Sequence, residues 1–327
     1  MNDPLSAEPD LIKDLLTKPI PKNLWHYTSY KAFQGIVESK QIFATDLRYL
    51  NDSQEFVHAK ELAQELADEV VDSSAAGVVV NGMLKKAVDL AFNTGPLRAD
   101  RLQVMVASFS NARDQLSQWR GYSGASSGVS ISFDLSKIRP PLGVETAVVF
   151  APCVYELSEK KALLQRALSH MVGVVAEWVQ DVQEAIQSDP QLLNKIKNPT
   201  EHGSPYVNGL DLNARLRQAM TKVNFDLVRL CPLLKDSSFS EEREWRLVLP
   251  ISAGKQLQNP IKFRPTSNTL VPYIPYPLCG PDEPAPVNDL ILGPGSHAEA
   301  EAATFSFLQS KHIMVKPQTS KVPYRAS

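Results

Sequence analysis

The segment FSEEREWRLVL (239–249) carries the densest grouping of residues able to do chemistry. In an extended chain side chains alternate faces, so Trp245, Leu247 and Leu249 share an inward face. Glu242, Glu244 and Arg246 share the other. Same-face neighbours on a strand lie about 6.5–7 Å apart. Two carboxylates at that spacing repel, so at least one pKa rises unless Arg243 or Arg246 compensates. Such a doublet suits chemistry at a sugar, where one carboxylate holds a hydroxyl and stabilises an oxocarbenium-like centre. A solvated strand face with Glu and Arg as neighbours is the plainer alternative.

Two further segments offer ligand contacts. In LWHYTS (24–29), a strand-borne His26 is followed two residues later by Thr28, which puts imidazole and hydroxyl on one face, able to hydrogen-bond a ribose or another polyol. The plainer alternative is a partly buried histidine beside aromatics. In LSQWRGY (116–122), a short loop within a polar turn-and-helix segment between strands, Trp119 and Tyr122 offer stacking surfaces and Arg120 a permanent cation, a set suited to a base and a phosphate. Arg120 is equally suited to pairing with Glu242 or Glu244 and holding the fold.

Other chemistries find little support. The six histidines are scattered without HxxxH or HExxH spacing, and Cys153, Cys231 and Cys279 form no close pair, so no metal site is expected. No Walker loop or nucleophile elbow occurs. SGASSG precedes a strand rather than a helix, unlike a dinucleotide fingerprint.

The elements that must position these residues follow from periodicity. A short amphipathic helix is expected over 8–18, ended by Pro19 and Pro21. LWHYT reads as a strand, Ser29 as the cap of a helix with Phe33, Ile36 and Val37 on one face, and IFATD as an extended piece. Residues 52–93 are helical in pattern. From 103 the period changes: VMVASFS, GVSISFD and VETAVVFAPCVYE (144–156) are strand-like, whereas 158–235 hold long helical patterns. The last third is β-rich again (EWRLVLP, IKFRP, NDLILGP), followed by a helix over 297–311 and an extended end. Ten of the 24 prolines lie between 250 and 294, too dense for regular helix. The expected fold is α+β: a mixed or antiparallel central sheet formed by the N- and C-terminal parts, with surrounding helices and a helical insertion at about 158–235. Residues 1–22 are read as an N-terminal helix and linker, and 23–327 as one composite domain.

With 327 residues, 43% hydrophobic and 21% charged, the composition is that of an ordinary globular protein. The net charge of −2 lacks the basic excess of a protein that grips nucleic acid backbones. The odd, well-separated cysteines point to a reducing cytoplasm. The polar start lacks the pattern of a signal peptide, and no apolar window reaches the roughly 20 residues of a membrane span.

Together LWHYTS, IFATDLRYLND, ASFS, LSQWRGY, GVSISFD, FSEEREWRLVL and ILGPGSH…VPYR resemble a bacterial and phage family known as domain-of-unknown-function family 2971. The resemblance spans 24–325 and implies no established activity. A more distant similarity is to ADP-ribosyltransferases, whose strand-borne His and E-x-E element look like His26 and Glu242-Arg243-Glu244. That similarity implies NAD as a substrate, with His26 and Thr28 at ribose, Glu244 catalytic and Glu242 assisting the acceptor. Ser117, Trp119, Arg120, Tyr122 and Arg246 complete the candidate ligand set, although the Ser-Thr-Ser element of the arginine-modifying group is missing. The first expectation is an NAD-consuming transferase or glycohydrolase, of the kind used as toxins or antiphage effectors. A second is a non-enzymatic sensor or regulatory module binding a small nucleotide or another phosphorylated ligand through Arg120, Arg246 and Arg325. A third is a nuclease, with Asp46, Asp52 and the Glu doublet as its only candidate metal ligands.

Overall fold

The computed structural model describes residues 11–50, 55–69, 104–122, 127–135, 148–188, 206–207, 210–251 and 261–323, together with 82, 84–86, 88–89 and 92–93. The elements begin with α1 (Leu11–Leu16), β1 (Leu24–Ser29), α2 (Tyr30–Ser39), β2 (Gln41–Asp46), α3 (Glu55–Glu69), β3 (Val104–Ser110) and α4 (Leu116–Tyr122). Next come β4 (Gly128–Phe133), β5 (Val149–Pro152), α5 (Leu157–Ser188), β6 (Tyr206–Val207), β7 (Leu210–Asp211) and α6 (Leu212–Leu230). The chain closes with β8 (Glu244–Pro250), β9 (Lys262–Pro265), β10 (Leu270–Pro277), β11 (Val287–Leu292), α7 (Ala300–Ser310) and β12 (Gln318–Thr319). The fold is α+β, as the sequence predicts.

The chain divides into two compact units. One comprises Met1–Ile12, Phe56–Arg101 and Leu157–Cys231 and is helical in its described parts, apart from the β6–β7 pair. Helical spacing explains it: Ala59, Leu62, Ala63, Leu66 and Ala67 on α3 are buried, as are Leu163, Leu164, Ala167 and Leu168 on α5. α5 packs on α6, which buries Val223, Leu227 and Leu230. The expected helical middle is therefore present.

The other unit, Lys13–Glu55, Leu102–Glu156 and Pro232–Ser327, carries the large sheet. Its path runs β12-β11-β4-β1-β3-β2-β10-β9, with β8 joined to β3 and β5 to β8. Every described pairing is antiparallel except β11 with β12. α2 starts on Ser29, whose Oγ accepts from the Ala32 N–H at 3.2 Å, and ends at Lys40 in the left-handed region. Phe33, Ile36 and Val37 then pack into the main core with Leu24, Ile131, Phe133, Trp245, Leu247 and Leu249. Alternation on β1 sends Trp25 and Tyr27 to a second, smaller core with Trp119 and Ile291.

Of the strand expected over 144–156, the described part contains β5, Val149–Pro152, and 144–147 lie outside the described residues. One departure from expectation has a physical reason. The proline-rich stretch contains an unexpected eight-residue strand, β10, despite Pro272, Pro275 and Pro277. β10 pairs with β9 over 270–273 and with β2 over 273–277, so along most of its length only one edge needs ladder donors. Among the described residues no helix is long and apolar enough to cross a membrane.

Candidate functional site

The sheet parts in its middle, and the parting makes a cleft. β1 follows β4 through six residue pairs but meets β3 only where Trp25 faces Ser110. β2 meets the same edge of β3 only at Val106 and Met105. Among the described residues the edge from Ala107 to Phe109 therefore has no strand beside it, while β8 runs the full length of the opposite edge. The resulting cavity, about 630 Å³, is lined by His26, Thr28, Phe43, Tyr122, Lys235, Glu242, Glu244, Arg246 and Arg264 among others. All of these belong to the sheet unit.

His26 sits in the parting itself. Its Nδ1 lies 2.9 Å from the Ser108 carbonyl oxygen, one of the groups left without a strand partner. A carbonyl only accepts, so Nδ1 carries the proton. Burial pushes the imidazole pKa down, the Ser108 bond partly offsets this, and the charge of Arg264 lowers it again. The ring is thus neutral at neutral pH, and Nε2 is left as its hydrogen-bond acceptor. Its face tilts against Phe109, with centroids 6.0 Å apart.

The acidic doublet is arranged differently from an extended Glu-x-Glu. Ser237–Glu242 form a 3-10 helix, Arg243 turns left-handed at φ 44°, and β8 begins only at Glu244. Glu242 therefore does not share a strand with Glu244. Ser110 Oγ holds the turn by donating to the Glu242 carbonyl at 2.6 Å, and the Glu244 N–H donates to Tyr155 Oη at 2.9 Å. The two carboxylates nevertheless converge, because Lys235 bridges them: its Nζ is 2.5 Å from Glu242 Oε2 and 2.6 Å from Glu244 Oε2. Backbone bonds on either side of Val154, to Leu233 O and from the Lys235 N–H, fix the bridging residue in place. Arg246 grips Glu244 with Nε to Oε1 at 2.8 Å and Nη2 to Oε2 at 3.0 Å, and its Nη1 donates to Pro232 O at 2.7 Å.

This network separates the two acids electrostatically. Burial alone would raise the Glu244 pKa, but Arg246 and Lys235 overcome it and hold the carboxyl near 2. For Glu242 burial wins over Lys235, with Glu244 adding to it, and the pKa rises. Glu244 is 4% exposed and Arg246 2%, and both Glu244 oxygens are engaged. Among the described residues Glu242 Oε1 has only the long contact from Tyr122 Oη, at 3.4 Å. The rise at Glu242 thus comes mainly from burial, with repulsion from Glu244 a lesser cause, while the inward face of Trp245, Leu247 and Leu249 lies in the core as the spacing predicts.

The turn-and-helix segment between β3 and β4 places LSQWRGY on a short helix, and the helical turn sorts its side chains. Trp119 faces inward, fully buried, with its ring edge-on to Tyr27 at 4.8 Å and Nε1 donating to Asp114 at 2.7 Å. It is a core residue and lends no stacking surface. Arg120 is exposed and does not line the cleft. Ser117 Oγ is buried without a hydrogen-bond partner among the described residues, also outside the cleft. From this segment only Gln118 and Tyr122 reach the cavity. Arg325 and Asp52 lie outside the described residues, and Asp46 is closed by Arg48 at 2.9 Å. Among the described residues no group of three His, Cys, Asp or Glu is placed to hold a metal ion. Burial pushes the Cys231 thiol to about 12, which makes it a poor nucleophile.

Two cations escaped the sequence reading. Lys235 is seven residues before Glu242, a spacing with no strand or helix meaning once a 3-10 turn intervenes. Arg264 belongs to β9, on the other side of the cleft, where its Nη2 reaches Thr45 Oγ1 at 3.4 Å. The one available hint was that two carboxylates brought close together need positive charge from elsewhere in the fold.

Residues 118–247, from Gln118 on α4 to Leu247 on β8, match the family described as protein of unknown function (DUF2971), the same family that the sequence blocks resemble. No curated protein and no solved structure matches the chain.

Proposed function

We propose that the cleft binds a pyridine dinucleotide such as NAD and breaks its glycosidic bond, passing the ADP-ribosyl group to water or to an acceptor. The observation that carries this reading is the convergence of His26, from the first strand, with the Glu242–Glu244 doublet at a single cavity. Departure of nicotinamide leaves positive charge on the ribose, which carboxylates fixed in a dry site stabilise. Glu244, held ionised, supplies that charge from behind. Glu242 is the acid that meets the ligand: its Oε1 is the less engaged oxygen, and its raised pKa suits it to take a proton from an incoming hydroxyl. The His26 Nε2 and the Thr28 hydroxyl accept from and donate to ribose hydroxyls.

A second reading has its own observation. Both Glu244 oxygens are already spent on Arg246 and Lys235, as in an ion network that only holds a fold. The cleft would then be a nucleotide sensor without turnover. Incubation with NAD and chromatographic measurement of free nicotinamide decides between them. Release that falls about 100-fold or more in Glu242→Gln supports the enzyme. NAD binding without release selects the sensor, and absence of both sinks the two readings together.

A further inference from the structure

We infer that the β2–β9 wall of the cleft is a seat for the adenosine diphosphate part of a nucleotide, with the base against Phe43 and the diphosphate on Arg264. This deepens the reading above and rests on the cleft being a nucleotide site, though not on its being catalytic.

The first argument is charge. Four cations, Lys31, Lys235, Arg246 and Arg264, line the cleft, against two carboxylates, Glu242 and Glu244. The chain as a whole carries −2, so a positive hollow is a local feature and not a general one. Lys235 and Arg246 are consumed by the acids, which leaves Arg264 and Lys31 as the excess. Among the described residues Arg264 has no carboxylate partner; its side chain is exposed and its described hydrogen bond goes to a neutral hydroxyl. The excess positive charge of the cleft suits an anionic ligand, and the Arg264 guanidinium presents paired donors to phosphate oxygens.

The second argument is the aromatic next to it. Phe43 is 40% exposed although Ile42 and Ala44, its neighbours on β2, are 1% and 0% exposed. Alternation turns its side chain away from the core and into the cleft wall. Tyr273, on the neighbouring strand, stacks against it at 4.0 Å and 28°, so the plane of the ring is set before any ligand arrives. Tyr49, also exposed, lines the same cavity. A fixed aromatic face beside an unpaired guanidinium accepts a planar base and its phosphates together, and stacking of this kind is tolerant of which purine is bound.

Calorimetric titration with ADP tests this without any catalysis, in wild type, Phe43→Ala, Phe43→Leu and Arg264→Gln. ADP binds wild type. Arg264→Gln weakens ADP and inorganic pyrophosphate about 10-fold but leaves adenosine unchanged. Phe43→Ala weakens ADP and adenosine by about 10-fold and leaves pyrophosphate unchanged. Phe43→Leu keeps the packing against Tyr273 and still loses ADP affinity, which separates stacking from misfolding. Failure of wild type to bind ADP, or binding indifferent to both positions, overturns the inference. If ADP behaves as expected but NAD yields no nicotinamide, only the catalytic reading falls. If NAD is cleaved while ADP binding ignores Phe43 and Arg264, only this inference falls.

Discussion

The two walls of the cleft use arginine in opposite ways. On the β8 wall, Arg246 is buried in a bidentate pair with Glu244, and Lys235 ties that pair to Glu242. On the β9 wall, Arg264 stays wet, with a neutral hydroxyl as its neighbour. A desolvated charge is tolerable only when its partners are already in place, so the first wall is committed to the fold. A hydrated charge costs little to keep and remains available to a ligand. One side of the cavity therefore holds charge that is already paired, apart from the less engaged Oε1 of Glu242, and the other is open and positive.

The largest way to break this contrast is Arg246→Leu. It strands Glu244 as a buried, under-compensated anion and is expected to cost about 3–5 kcal/mol, read as a fall in Tm by calorimetry. Replacing Glu244 by leucine as well should recover much of that loss, because the charge left behind is what destabilises.

Acid sharpens the comparison next. Glu244 has a folded pKa near 2 against an ordinary 4.5, so its contribution is complete above pH 4.5 and disappears as pH falls towards 2. On the order of 3 kcal/mol is lost across that window. Denaturant titrations at stepped pH should show the slope in wild type and a flatter profile in Glu244→Gln. Glu242 has the opposite sign: its raised pKa means that ionising it works against the fold as pH rises.

A smaller effect comes from Trp119→Phe, which keeps an aromatic ring in the core but removes the donor to Asp114 and part of the buried indole. A loss of about 1–2 kcal/mol is expected in urea unfolding, with ADP affinity unchanged, since Trp119 belongs to the core. The smallest is Arg264→Gln, which should move stability by less than about 0.5 kcal/mol while changing ADP affinity. Equal stability costs at Arg246 and Arg264 would abolish the distinction between the walls.

Much of the scaffold was legible because it depends on local period. β3 and β8 begin and end where the alternation of VMVASFS and EWRLVLP says they should. α2 starts at the serine that caps it. The acidic doublet and His26 could be named because their residue types stand out against apolar strands. LSQWRGY misled, since a helix of seven residues rotates each side chain by about 100° and one turn decides which reaches a ligand. β10 was hidden by prolines that a strand with one paired edge tolerates.

What the chain determines by itself is which residues alternate, which are apolar and which carry charge, because backbone hydrogen bonding and burial act over neighbouring positions. Only the tertiary structure decides that β1 leaves β3 after a single pair, that Lys235 arrives between two glutamates, and that Arg264 rather than Arg120 faces the cavity. Those outcomes depend on strands and turns from distant parts of the chain competing for the same edge and the same charge. A pattern of neighbours does not contain that competition.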